Sequence, residues 1–121
     1  MDMKRLFVYG TLMKGEGNHD LMRDASYKGK FKTQGKWGLI NIGNFPALVP
    51  YSLEVEGELY EVDDTQLAMI DRLEGVDAGM YQRRTINIYD METNEHVEAD
   101  TYIWGRLSSH GTKVRRWSDF K

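Results

Sequence analysis

Twelve glycines are scattered through 121 residues and cut the apolar sequence into short pieces. A chain interrupted this often has room for strands and turns but for few long helices. Between the glycines, residue types alternate. Tyr27, Gly29 and Phe31 are interleaved with Lys28, Lys30 and Lys32, which turns one side of a strand toward a core and the other toward water. Residues 3–9, 37–42 and 55–62 read as further strands, and Gly57 marks a bulge or a close approach within the last. Two more follow at 82–89 and 97–103, where Ile86 and Ile88, then Val97, Ala99, Thr101 and Ile103, alternate with other residues. Residues 90–94 make a hairpin turn between them. Residues 43–47 read as a turn, with Pro46 and Pro50 together in one loop.

One helix is well marked. Asp63 can cap it, Gln66 three residues later completes a capping box, Leu67, Ile70 and Leu73 recur at helical spacing, and Gly75 ends it. A shorter helix is expected over 18–24, with Leu21 and Ala25 facing inward. The balance is mostly strand with two short helices.

Composition narrows the function classes. Hydrophobic residues make up 40% of the chain and charged residues 29%, enough to bury a core. No stretch reads as a linker, so residues 1–121 are expected to form a single domain. A surface tail, polar and basic with Trp117 and Phe120 as its apolar members, is expected from about residue 108. A net charge of −3 argues against a nucleic-acid partner, which calls for a strongly basic domain. With no cysteine there are no disulfides, thiolate nucleophiles or thiolate zinc sites. No apolar run approaches the roughly 20 residues of a membrane span, and the N-terminus shows no signal-peptide pattern. The expectation is a cytoplasmic protein without a membrane partner.

Three stretches carry candidate chemistry. At residues 8–12 a strand runs into Gly10 and a polar loop, an arrangement that turns backbone N–H groups outward and can hold a carboxylate or phosphate. The same pattern also serves ordinary turns. Glu74 falls in the last turn of the marked helix, where the partial negative charge of the helix end raises a carboxyl's proton affinity toward that of a general base. An exposed surface glutamate is the alternative. Beyond it, Tyr81 and Tyr102 sit on paired strands beside the Glu74 helix and are expected to present hydroxyls or rings at a pocket wall. Arg83 or Arg84 could pair with a carboxylate. His19, His96 and His110 are widely separated, so no metal site is expected. Lys28, Lys30, Lys32 and Lys36 form either an anion-binding stripe or a solvated strand face. Neither a phosphate-binding Gly-x-x-x-x-Gly-Lys loop nor a Gly-x-Ser-x-Gly elbow is present.

Taken in order, these segments form a pattern. Phe7-Val8-Tyr9-Gly10-Thr11-Leu12, with Gly17-Asn18-His19 after it, resembles the N-terminal signature of the gamma-glutamyl cyclotransferase-like superfamily. Residues 43–47 and 55–60 resemble that family's segments too. Residues 70–75, followed by Met80-Tyr81-Gln82-Arg83, look most like its gamma-glutamylamine cyclotransferase branch. The resemblance runs from about Leu6 to Trp104. It implies an α+β fold: a small mixed β-barrel with short helices packed beside it. It further implies that the backbone around Tyr9, Gly10, Thr11 and Leu12 grips the α-carboxylate of a small γ-glutamyl substrate. Glu74 matches the family's acid/base glutamate. The implied reaction is attack of the substrate's α-amine on its own γ-carbonyl, releasing an amine and closing 5-oxoproline. Nucleophile and electrophile share one molecule, so no cofactor is expected. The alternatives are a catalytically silent binder of small amino-acid-like ligands and a protein-interaction module using the lysine face or the tail. The leaving amine and the oligomeric state are left open.

Overall fold

The computed structural model describes residues 3–43, 45–105 and 111–120. Its strands are β1 (Lys4–Val8), β2 (Ser26–Thr33), β3 (Trp37–Asn41), β4 (Pro46–Pro50), β5 (Glu56–Val62), β6 (Tyr81–Asp90) and β7 (His96–Trp104). Among the described residues there is one α-helix, α1 (Asp64–Leu73), with single 3-10 turns at His19–Met22, Val76–Ala78 and Trp117–Phe120.

Five strands close a barrel in the order β1-β5-β2-β6-β7, and a parallel contact of Leu6 with Asp100 joins β7 back to β1. Outside that ring, β4 runs parallel to β7 at Leu48 and Ile103, and β3 pairs antiparallel with β4. This is the α+β mixed barrel that the resemblance implies.

β1 explains why the first apolar run does not alternate. It is buried on both sides, as a near-continuous hydrophobic strand must be. Leu6 and Val8 pack with Leu67 and Ile70 of α1, while Phe7 and Tyr9 pack with Phe31, Leu59 and Ile88 in a second cluster. The helix is built as its sequence dictates. Asp63 Oδ1 accepts from the Gln66 N–H at 2.8 Å, and Gln66 Oε1 accepts from the Asp63 N–H at 3.0 Å. Gly75 then takes φ +65, a conformation that ends the helix without steric cost.

Three expectations need correction. Pro46 and Ala47 belong to a strand and not to a turn; Asn44 lies outside the described residues. The prolines stand at the two ends of β4, positions where a missing N–H is tolerated, and Ala47, Leu48 and Val49 between them are buried. The expected helix over 18–24 is a single 3-10 turn at His19–Met22, because so short a segment cannot sustain α-helical bonding. Met22 is its buried residue, with Leu21 and Ala25 packed at the edge of the core. In β2 the register slips between Tyr27 and Gly29, which breaks the alternation and leaves Tyr27 exposed against Tyr60, ring centroids 5.4 Å apart.

The C-terminal segment runs along the barrel. Val114 exchanges backbone hydrogen bonds with Leu39 at 2.9 and 3.0 Å, and Trp117 is buried. Residues 108–110, where the tail was expected to begin, lie outside the described residues. No helix of the described residues is long and apolar enough to cross a membrane.

Candidate active site

The loop after β1, the start of β4, the C-terminal end of α1 and the facing ends of β6 and β7 enclose a cavity of about 120 Å³. Its lining includes Tyr9, Gly10, Thr11, Leu12, Glu74, Tyr81 and Tyr102, so the fold brings these seven candidates to one place.

The loop forms one wall. Gly10 lacks a side chain because the Pro46 ring occupies the space a Cβ would need. The loop's carbonyls turn back on the loop itself. Gly10 O accepts from the Met13 N–H at 3.0 Å, Thr11 O from the Asn18 N–H at 2.8 Å, and Leu12 O lies 2.9 Å from His19 Nδ1. The Asn18 side-chain amide donates to Thr11 Oγ1 at 2.9 Å. Among the described residues the N–H groups of Gly10, Thr11 and Leu12 donate to nothing. Successive free N–H groups held by a rigid loop make an anion-binding concavity.

Three tyrosines line the cavity, but their hydroxyls are engaged elsewhere. The Tyr9 hydroxyl donates to Tyr102 O at 2.6 Å, the Tyr81 hydroxyl to Pro46 O at 2.7 Å, and the Tyr102 hydroxyl to Asp71 Oδ1 at 2.7 Å. They therefore offer the cavity mainly their rings. Burial pushes all three phenols above their ordinary range, so they remain neutral.

Glu74 caps the C-terminus of α1, half-buried, and its carboxylate makes no hydrogen bond or ion pair among the described residues. Burial first, and the Asp71 carboxylate second, push it up to about 7. A carboxyl in that state can take a proton and return it near neutral pH.

The other candidates go elsewhere. Arg83 is bound to Asp71 at 3.0 Å and Asp100 at 2.9 Å, and Arg84 to the Gln82 side chain. Lys28 pairs with Glu61 and Lys32 with Glu54 on the barrel surface. His96 meets Asn87, and His110 lies outside the described residues. Sequence patterns gave no sign of Phe45, Leu73 and Met80 at the cavity mouth, exposed by 49%, 43% and 37%. Nor did they point to Asp71, although its place one turn before Glu74 was there to be read.

The profile of the family described as "Gamma-glutamyl cyclotransferase, AIG2-like" matches residues 6–119. The chain belongs to that family. Within it, the chain is 36% identical over 100 residues to a gamma-glutamylaminecyclotransferase of Rattus norvegicus, covering 74% of this chain and 66% of the rat protein. It is 32% identical over 123 residues to the gamma-L-glutamyl-butirosin B gamma-glutamyl cyclotransferase of Niallia circulans, covering 98% and 78%. The crystal structure of an AIG2-like protein of Mus musculus matches with a TM-score of 0.81 at 31% identity, covering 89% of this chain and 81% of that one. Membership supports a gamma-glutamylcyclotransferase-type activity.

Proposed function

We propose that this protein closes γ-glutamyl amines into 5-oxoproline with release of the free amine. One observation carries the reading: an unpaired carboxyl poised near neutrality, Glu74, lines the same cavity as three unpartnered backbone N–H groups. The substrate's α-carboxylate sits on the N–H groups of Gly10, Thr11 and Leu12, and the tyrosine rings and Leu12 exclude water from the γ-glutamyl chain. Held bent, the chain brings its α-nitrogen to the γ-carbonyl carbon. Glu74 takes a proton from the α-ammonium, and the freed amine attacks. As the C–N bond to the leaving amine breaks, Glu74 returns its proton to the leaving nitrogen. The second proton shed by the attacking nitrogen follows through the same carboxylate, so the amine departs as an ammonium and the ring nitrogen keeps one hydrogen. Atoms and charge balance with no further reactant.

The cavity mouth supports amines over amino acids as leaving groups. Phe45, Leu73 and Met80 face it, and no Lys, Arg or His is among the described lining residues. A leaving amino acid would place its carboxylate there without a counterion, at a desolvation cost that an alkyl amine avoids. The name of the rat relative agrees with this choice. The test is a panel of γ-glutamyl amines and γ-glutamyl amino acids followed by 5-oxoproline release. Faster turnover of the alkyl amines supports the proposal, and preference for the amino acids overturns the leaving-group assignment. Binding of 5-oxoproline with no turnover on the whole panel would instead mark a silent binding protein.

A further inference from the structure

Asp71 stands outside the cavity lining, yet its Oδ1 collects donors from two strands at once. The Tyr102 hydroxyl of β7 reaches it at 2.7 Å and Arg83 Nε of β6 at 3.0 Å. Arg83 and Tyr102 are directly opposed in the β6–β7 ladder. From there Arg83 Nη1 continues to Asp100 Oδ2 at 2.9 Å, and Asp100 Oδ1 accepts from the Thr85 hydroxyl at 2.8 Å. A single carboxylate oxygen thus ties the last turns of α1 to the cavity wall, and Glu74 follows three residues later on the same helix end.

We propose that Asp71 is a positioning residue for ring closure: it clamps the helix end that carries Glu74 and holds a negative charge beside that carboxyl. This role rests on Glu74 being the acid/base group. The groups that bear on Glu74 are Asp71 from its own helix, Tyr81 from β6, Tyr102 from β7 and Tyr9 after β1, with Arg83 of β6 behind Asp71 and Tyr102. The three phenols are neutral. Arg83 is shared between Asp71 and Asp100. Asp71 is therefore the anion that makes the Glu74 carboxylate harder to form, by like-charge repulsion in a partly desolvated setting.

Two substitutions with opposite expected signs test this. Asp71→Asn keeps the size and the acceptor for Tyr102 but removes the charge and leaves Arg83 less neutralised. Arg83→Gln leaves Asp71 charged and less compensated. The Glu74 carboxyl is followed by NMR in protein labelled with 13C at glutamate Cδ, its signal assigned by its loss in Glu74→Gln. The Glu74 midpoint should fall by about 0.5–1 pH unit in Asp71→Asn and rise in Arg83→Gln. The acid limb of kcat/KM should move with it in each variant. In Asp71→Asn the plateau should drop several-fold, because a weaker base remains. A midpoint unmoved in either variant, or moved the same way in both, overturns the proposal, since a merely structural clamp would lower activity without splitting the signs. Should one variant fail to fold, the sign in the other decides. A wild type without turnover would overturn the acid/base role of Glu74 instead, and that failure is distinguishable because the midpoints are read without substrate.

Discussion

Two carboxylates bear on the loop after β1, and the fold treats them in opposite ways. Glu58 on β5 is 8% exposed and accepts the Lys14 N–H and the Tyr60 hydroxyl, each at 3.0 Å. It anchors the loop from behind. Glu74, half-buried in the cavity wall, accepts nothing among the described residues and is pushed up to about 7. Burial with donors makes a carboxylate a structural tie, because the donors replace lost water. Burial without donors leaves a group whose charge is costly and whose proton is available for transfer. The same residue type thus serves as anchor on one side of the loop and as candidate catalyst on the other.

The comparison is sharpest in Glu74→Gln, which keeps the side chain's size but cannot carry the proton. Turnover should fall by roughly 10²–10⁴, a barrier increase of about 3–5 kcal/mol. In the wild type, kcat/KM should rise with pH to a plateau above about 7, because the free enzyme must hold Glu74 ionised to accept the proton. A Gln variant of equal activity would break the comparison outright.

Stability gives the next effect, with a definite sign. The folded-state value of about 7 lies above the ordinary 4.5, so the folded protein binds this proton more tightly than the unfolded chain. The stabilisation is fully present below pH 4.5 and is lost as pH rises through 7, a change of about 3 kcal/mol. Glu74→Gln should therefore gain stability relative to wild type between pH 4.5 and 8, measured by urea denaturation at both. A pH-independent difference would show that Glu74 is better solvated than its surroundings imply.

Glu58→Ala should behave in the reverse manner. It leaves the Tyr60 hydroxyl and the Lys14 N–H without their acceptor and should cost about 1–3 kcal/mol. Thermal unfolding reads the loss, while turnover per folded molecule should fall far less than in Glu74→Gln. Loss of turnover without loss of stability would make Glu58 a member of the site. The smallest effect is expected at Asp63→Ala, which removes the helix cap at about 1 kcal/mol and should leave kcat unchanged at temperatures where the fold is intact.

Much of the scaffold was legible because its signals are local. Asp63, Gln66 and Gly75 announce α1 and end it within a dozen residues, and the alternation at 82–89 and 97–103 marks the long β6–β7 hairpin. β4 was not legible, since two prolines and a glycine close together look like a turn. What makes Pro46–Pro50 a strand is the partner on each side, β3 just before it and β7 far along the chain, and the second is invisible to any local pattern. Tyr81 and Tyr102 were placed at the cavity, but their hydroxyls' acceptors lie 35 and 31 residues away, beyond the reach of any spacing rule.

By itself, then, the amino-acid order specified a glycine-interrupted strand protein with one capped helix, and it set Glu74 at that helix's end and Gly10 at the end of the first strand. Those features follow from backbone propensities and capping groups that act over three or four residues. Barrel closure required the whole chain, through contacts such as Leu6 with Asp100 and the Tyr9 hydroxyl with Tyr102 O, 93 residues apart. So did the difference between the two glutamates. Solvation of a carboxylate depends on which donors the folded chain gathers around it, and for Glu58 the nearest loop donor comes from 44 residues away while for Glu74 none arrives among the described residues.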